Sequence, residues 1–191
     1  MLHDAQADFR VLLDSMARPG QLRQFSAPAV PSPAPLNIAS SIVAMTLLDS
    51  EVEHHATAFP DGISRYITAN TGSPTATPAD AAFLFLSDAT HLEALAAART
   101  GELAYPELGA TVVLQLEALS ATPLPNSLAL TTTGPGVDGA LTFHASGIDS
   151  AFLTLLANRN AEFPLGLDLI LTAGNTLVSI PRSQKLSWEV Q

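Results

Sequence analysis

Apolar residues recur three and four apart at the start of the chain, where Phe9, Leu12, Leu13 and Met16 predict a helix over residues 6–17. Asp4 and Asp8 lie near its start, the end at which carboxylates are favourable. Arg18-Pro19-Gly20 stops it, because Pro19 drives Arg18 out of the helical region and Gly20 permits a turn. Residues 21–25 then suit a short strand. Pro28, Pro31, Pro33 and Pro35 form a stiff, extended connection that is too short to separate two domains.

Further on, helical and strand periods interleave. Asn37 caps a predicted helix running to about Leu48, with Ile38, Ile42, Met45 and Leu48 inward. Residues 52–59 read as a strand, and Asp61 starts a helix that buries Ile63, Tyr66 and Ile67. The apolar tetrapeptide Phe83-Leu84-Phe85-Leu86 has the character of a strand covered on both faces. Thr90 and Glu93 have capping-box spacing for a helix carrying Leu92, Leu95 and Ala96, which Gly101 closes. Residues 111–116 and 128–133 predict strands flanking a proline-containing loop. Residues 149–158 predict a helix with Phe152, Leu155 and Leu156 inward, and residues 167–172 and 176–180 a hairpin around Ala173-Gly174-Asn175. There is no internal repeat. The pattern is that of a layered α/β domain with a mixed β-sheet flanked by helices.

Composition agrees with a folded chain. Its 191 residues fit one domain better than two, and folding at that size buries roughly 70% of the unfolded surface without a covalent staple. Hydrophobic residues make up 47% and charged ones 14%, too apolar for a disordered protein. Eight basic against eighteen acidic residues give a charge of −10, and the basic ones are scattered, which argues against nucleic-acid or anionic-membrane binding. Without cysteine, disulfides, Cys-based zinc sites, iron–sulfur clusters and a cysteine nucleophile are excluded. The N-terminus lacks the basic start and apolar stretch of a signal peptide, and the longest clear apolar run, residues 81–86, is far short of a membrane span. A soluble, cytoplasmic protein is expected.

Several motifs approach recognisable chemistry. Thr133-Gly134-Pro135-Gly136 follows a strand, yet it lacks the spacing of a P-loop or a dinucleotide fingerprint, and Pro135 removes an amide donor; a tight turn is the expectation. Glu51, Glu53 and His55 would share one strand face. They could hold a divalent metal, but a charged, wetted edge strand explains them better. His54 points the other way. No Gly-x-Ser-x-Gly elbow is present. Lys185, the only lysine, lies near the C-terminus, so a pyridoxal-phosphate Schiff base or other lysine chemistry is not expected. Arg18 and Arg182 each adjoin a proline at the end of a predicted element. Either could grip a phosphate or phosphonate oxygen bidentately, or simply anchor backbone carbonyls and an acidic neighbour.

Six segments in order resemble one family. Phe9-Arg10-Val11-Leu12-Leu13-Asp14-Ser15-Met16-Ala17-Arg18-Pro19-Gly20, Pro35-Leu36-Asn37-Ile38-Ala39 and Pro106-Glu107-Leu108-Gly109-Ala110-Thr111 are similar to the PhnH family of the bacterial carbon–phosphorus lyase system. So are Thr133-Gly134-Pro135-Gly136, Phe163-Pro164-Leu165-Gly166-Leu167-Asp168-Leu169-Ile170-Leu171 and Ile180-Pro181-Arg182. The chain departs from the family pattern after Arg182, where Ser183-Gln184 stands in place of two threonines, and in its early proline-rich connection.

The resemblance implies a single PhnH-like domain over residues 1–191, with a fold like the large domain of pyridoxal-phosphate-dependent transferases but without that cofactor's site. It implies a role in alkylphosphonate use. The core complex of that system couples a phosphonate to the ribose of ATP with loss of adenine, ahead of carbon–phosphorus bond cleavage, which is transferase and lyase chemistry. The implied partners are the other core subunits, with a homodimer in isolation; no cofactor, metal, nucleic acid or membrane is expected. No catalytic residue carries over. A non-catalytic assembly subunit is the first expectation. The alternatives are a small-molecule-binding or enzymatic subunit using Arg18, Asn37, Glu107 and Arg182, and an independent homodimer with an unrelated ligand.

Overall fold

The computed structural model describes residues 2–26 and 31–190, so Pro28 of the proline-rich connection lies outside the described residues. In chain order the elements are α1 (Leu2–Ala17), β1 (Arg23–Gln24), α2 (Ile38–Leu47), β2 (His54–Thr57), α3 (Asp61–Thr71), β3 (Phe83–Leu86) and α4 (Leu92–Ala97). A 3-10 turn over Pro106–Leu108 precedes β4 (Thr111–Gln115), β5 (Ala118–Ser120), β6 (Leu128–Thr133) and β7 (Leu141–Ser146). The chain continues with α5 (Ser150–Arg159), β8 (Asp168–Ala173), β9 (Thr176–Ile180) and β10 (Lys185–Val190).

The strands form two sheets. A six-stranded one has the order β1-β9-β8-β4-β3-β2, and a four-stranded antiparallel one the order β10-β6-β7-β5. Within the larger sheet β2, β3, β4 and β8 run parallel, and β9 returns antiparallel to β8 through the hairpin at Gly174. The α/β class with a mixed sheet is therefore as the periodicity predicts.

Alternation along the strands builds two cores. Phe85, Val113 and Ile170 lie in register across β3, β4 and β8 and face α1, α2 and α3. Leu84, Leu86, Val112, Leu114, Leu169 and Leu171 face the other way, onto α4, α5 and Leu130 and Phe143 of the antiparallel sheet. Burial on both faces is what makes these strands continuously apolar. Several hydroxyls buried between the layers pair with one another. Ser15 of α1 donates to Ser179 of β9 at 2.8 Å, and Ser40 of α2 lies 2.8 Å from Thr172 of β8. None of the helices among the described residues is long and apolar enough to cross a membrane.

The structure corrects several local expectations. Thr90 does not cap α4: His91 occupies the N-cap without a side-chain bond, and the Thr90 hydroxyl and amide both donate to Asp88. The helix ends at Ala97, ahead of Gly101. On α1 it is Leu12 and Ser15 that turn inward, leaving Phe9 and Leu13 exposed. On α5 Leu153 is buried more deeply than Leu155. The strand expected over 52–59 is confined to β2, since Ala58 at φ 59° breaks it. Strands β5, β7 and β10 were not predicted.

Two stability predictions follow from this packing. Phe85→Ala, at a fully buried site where the sheet meets the helices, should cost about 3–5 kcal/mol by urea denaturation. The His54 imidazole is buried, with Nδ1 2.8 Å from the Ser73 hydroxyl and Nε2 unpartnered among the described residues. Burial, assisted by the neighbouring His55 charge, holds its pKa below the ordinary imidazole value. The unfolded chain takes up this proton near pH 6.5, so the stability His54 contributes above that pH drains away as pH falls through the lower folded value. The urea midpoint should thus fall between pH 7 and 5 more steeply for the native chain than for His54→Gln; equal slopes would refute the assignment.

Candidate functional site

In open α/β sheets ligands collect beyond the carboxyl ends of the parallel strands, and a hollow of about 590 Å³ lies there. Ser87, Asp88 and Thr90 enter it from the end of β3, and Gln115 and Glu117 from the end of β4. Asn37 and Asp149, the N-caps of α2 and α5, complete its polar lining. Asn37 is a junction. Its Oδ1 accepts from the Ser40 amide at 2.8 Å, its amide donates to Gln115 Oε1 at 2.5 Å, and its Nδ2 donates to Thr172 Oγ1 at 3.1 Å. One side chain thus caps α2 and fastens it to β8, while its backbone fastens the same helix to β4.

The hollow is acidic. Asp149 accepts from the Phe152 amide at 2.9 Å. The hydrogen bond from the Thr90 hydroxyl, with smaller help from the Thr90 amide and His91, holds the Asp88 carboxyl below the usual range. Together with Glu117 these are three carboxylates, and among the described residues no Lys or Arg lines the space. Such a wall repels a triphosphate or a phosphonate.

Arg182 stands elsewhere, at the amino ends of the same strands. Its guanidinium grips Asp168, with Nη2 2.5 Å from Oδ2 and Nε 3.2 Å from both carboxylate oxygens. It also donates to the carbonyls of Pro106 at 2.7 Å and Gly109 at 3.2 Å, while its own amide donates to Asp168 at 2.8 Å. Gly109 has to be glycine: a Cβ there would collide with the guanidinium and lie 2.5 Å from the Gly166 carbonyl. Glu107 sits in the 3-10 turn and is exposed.

Arg18 is exposed just past α1 and shares the Asp14 carboxylate with Arg23. Those contacts, the Arg23 hydrogen bond foremost, lower the Asp14 pKa. The Thr133-Gly134-Pro135-Gly136 segment is the turn leaving β6, packed on the end of α1 so closely that a Cβ on Gly136 (φ +82°) would lie 2.5 Å from the Ala17 carbonyl. Gln184 locks it, donating to Pro135 at 2.8 Å and accepting from Thr132 at 3.2 Å. Lys185 begins β10 and is not in the hollow. Strand β2 is a sheet edge, with Glu51 in the turn before it, and no three His, Cys, Asp or Glu among the described residues are placed to hold a metal.

The four candidate residues therefore occupy three places. Asn37 lies at the carboxyl ends of the strands, Glu107 and Arg182 at the amino ends, and Arg18 past α1. Sequence reasoning gave no role to Asp168, the partner that fixes Arg182. Its signal is an acidic residue opening a strand whose hairpin partner ends in Pro-Arg.

The family described as bacterial phosphonate metabolism protein (PhnH) matches residues 1–187. The chain belongs to the PhnH family. It is 33% identical over 189 residues to the alpha-D-ribose 1-methylphosphonate 5-triphosphate synthase subunit PhnH of Rhizobium meliloti (strain 1021), covering 97% of this chain and 92% of that protein. It is 31% identical over 185 residues to the putative C-P lyase subunit protein HtxG of Stutzerimonas stutzeri, covering 95% and 85%. Three of the PhnH-like segments, those around Glu107, Asp168 and Arg182, meet in the Arg182 corner.

Arg182→Ala should lower stability by roughly 2–4 kcal/mol in urea, because it leaves a largely buried carboxylate without its cation and the Gly109 carbonyl without its donor. Arg182→Lys should recover only part of that, since an ammonium cannot reproduce the fork; full recovery would show that charge alone suffices.

Proposed function

We propose that this chain is a non-catalytic assembly subunit of a carbon–phosphorus lyase core complex, required for alkylphosphonate use. The step served is the one named for its Rhizobium relative, formation of ribose 1-methylphosphonate 5-triphosphate, in which a phosphonate is joined to the ribose of ATP and adenine leaves. The observation that carries this reading is a match along nearly the full chain to two proteins that are each named as subunits. The acidic lining of the hollow supports it, since ATP and phosphonates are anions. The reading includes one domain over residues 1–191 in the cytoplasm, self-associating as a homodimer when isolated. It also includes a fold like the large domain of pyridoxal-phosphate-dependent transferases, without that cofactor's site.

Ligand binding by Arg18, Asn37, Glu107 and Arg182 together is disfavoured, because these residues do not converge. Calorimetry of the isolated chain with ATP, ribose phosphates or methylphosphonate should show no heat of binding at millimolar ligand. The tagged chain, recovered from its native host grown on a phosphonate, should bring down the other core subunits in stoichiometric amount. Turnover of ATP and phosphonate by the isolated chain would sink the proposal.

A further inference from the structure

Four of the six exposed large hydrophobics among the described residues sit in two adjoining loops. Leu103 is 80% exposed, Tyr105 57% and Leu108 47% in the loop before β4, and Phe163 66% in the loop before β8. The loops are tied at their bases: the Gly166 amide donates to the Thr100 carbonyl at 2.9 Å, the Asp168 amide to Ala110 at 3.2 Å, and Arg182 bridges Pro106 and Gly109 to Asp168. Leu103 lies at the tip of a tight turn closed by the Glu102 and Tyr105 backbones. A leucine there contributes nothing to the chain's own core, and covering it with an apolar surface is favourable.

The exposed charged residues of these two loops are all carboxylates, Glu102, Glu107 and Glu162. The three arginines of the same region turn inward to carbonyls: Arg99 to Asp80, Arg159 to Ala98, and Arg182 to Pro106 and Gly109. An apolar patch on a rigid base, ringed by carboxylates, is built to meet an apolar surface ringed by lysine and arginine. A second copy of this chain would set carboxylate against carboxylate.

We infer that the corner of Leu103, Tyr105, Leu108 and Phe163 is the surface through which this chain docks on a different protein subunit, one presenting an apolar face rimmed by basic residues. This rests on the subunit reading and adds to it the surface and the partner's chemistry.

The test uses the tagged full chain in its native host grown on a phosphonate. Leu103→Ser with Phe163→Ser should leave the urea midpoint near that of the native chain and weaken association with the core subunits by 100-fold or more. Phe9→Ser with Leu13→Ser on α1 should leave association unchanged. Carbodiimide coupling of the native complex should join Glu102, Glu107 or Glu162 to lysines of a core subunit. Because this chain has one lysine, Lys185, coupling to a second copy is distinguishable. If the native chain recovers the subunits and the loop variant does so equally well, the docking assignment falls while the subunit reading stands. If the native chain recovers none, both fall. Loss of self-association alone, or coupling only to Lys185 or the N-terminal amine of another copy, identifies a homodimer face and overturns the inference.

Discussion

Strand β4 sets the terms for the rest of the molecule. Residues 112–114 are buried in succession, Val112 and Leu114 into one core and Val113 into the other, with β3 and β8 bonded along its two edges. A parallel strand in that position has no free face and no free edge, so both layers that cover it must form. Helices α1 to α3 supply one layer. The other needs more than α4 and α5 and is completed by the antiparallel sheet through Leu130 and Phe143. Function is thereby confined to the ends of the strands, where the loops emerge.

The two ends differ in chemistry. At the carboxyl ends the lining is polar and acidic, and Asn37 and Asp149 are already engaged in capping α2 and α5, Asn37 also tethering α2 to the sheet. At the amino ends the loops are apolar at their tips and locked by an internal ion pair at their base. With eight basic residues in 191, the distribution of cations decides much. Arg18 and Arg23 are held by Asp14, Arg99 and Arg159 by backbone carbonyls, and Arg182 by both kinds of acceptor. The outer surface carries Arg10, Arg65 and Lys185 against a clear excess of exposed carboxylates. That favours basic partners, and long-range attraction speeds their encounter in a salt-dependent way.

Much of this was legible in the chain itself. The Arg18-Pro19-Gly20 stop, the Asn37 cap, the helix near residues 149–158 and the β8–β9 hairpin stand where local rules place them, because each depends on neighbours in sequence. Phe83-Leu84-Phe85-Leu86 declared a strand covered on both sides. The antiparallel sheet was hidden for the opposite reason. Strand β10 pairs with β6 some 50 residues away in sequence, and short alternations such as Leu141, Phe143, Ala145 become a strand only when a partner supplies the ladder. Thr90 shows the same limit at closer range. A capping box reads four residues, while the Asp88 carboxylate just outside that window takes both donors.

Arg182 shows why a fixed arginine in a turn is weak evidence for anion binding. The position was readable from Pro181-Arg182 at an element's end; whether its donors were free was not. A guanidinium has five N–H groups. Here Nε faces Asp168, Nη1 serves Pro106, and Nη2 serves both Gly109 and Asp168. A phosphonate arriving at this site would have to displace a carboxylate held bidentately, leaving that carboxylate without its cation and the Gly109 carbonyl without its donor. The gain from one new charge-assisted contact does not offset that loss. The same bonds that close the arginine to a ligand hold the loop carrying Tyr105, Glu107 and Leu108 in place. The residue acts on recognition through the surface it supports, and an anion in its fork would dismantle that surface.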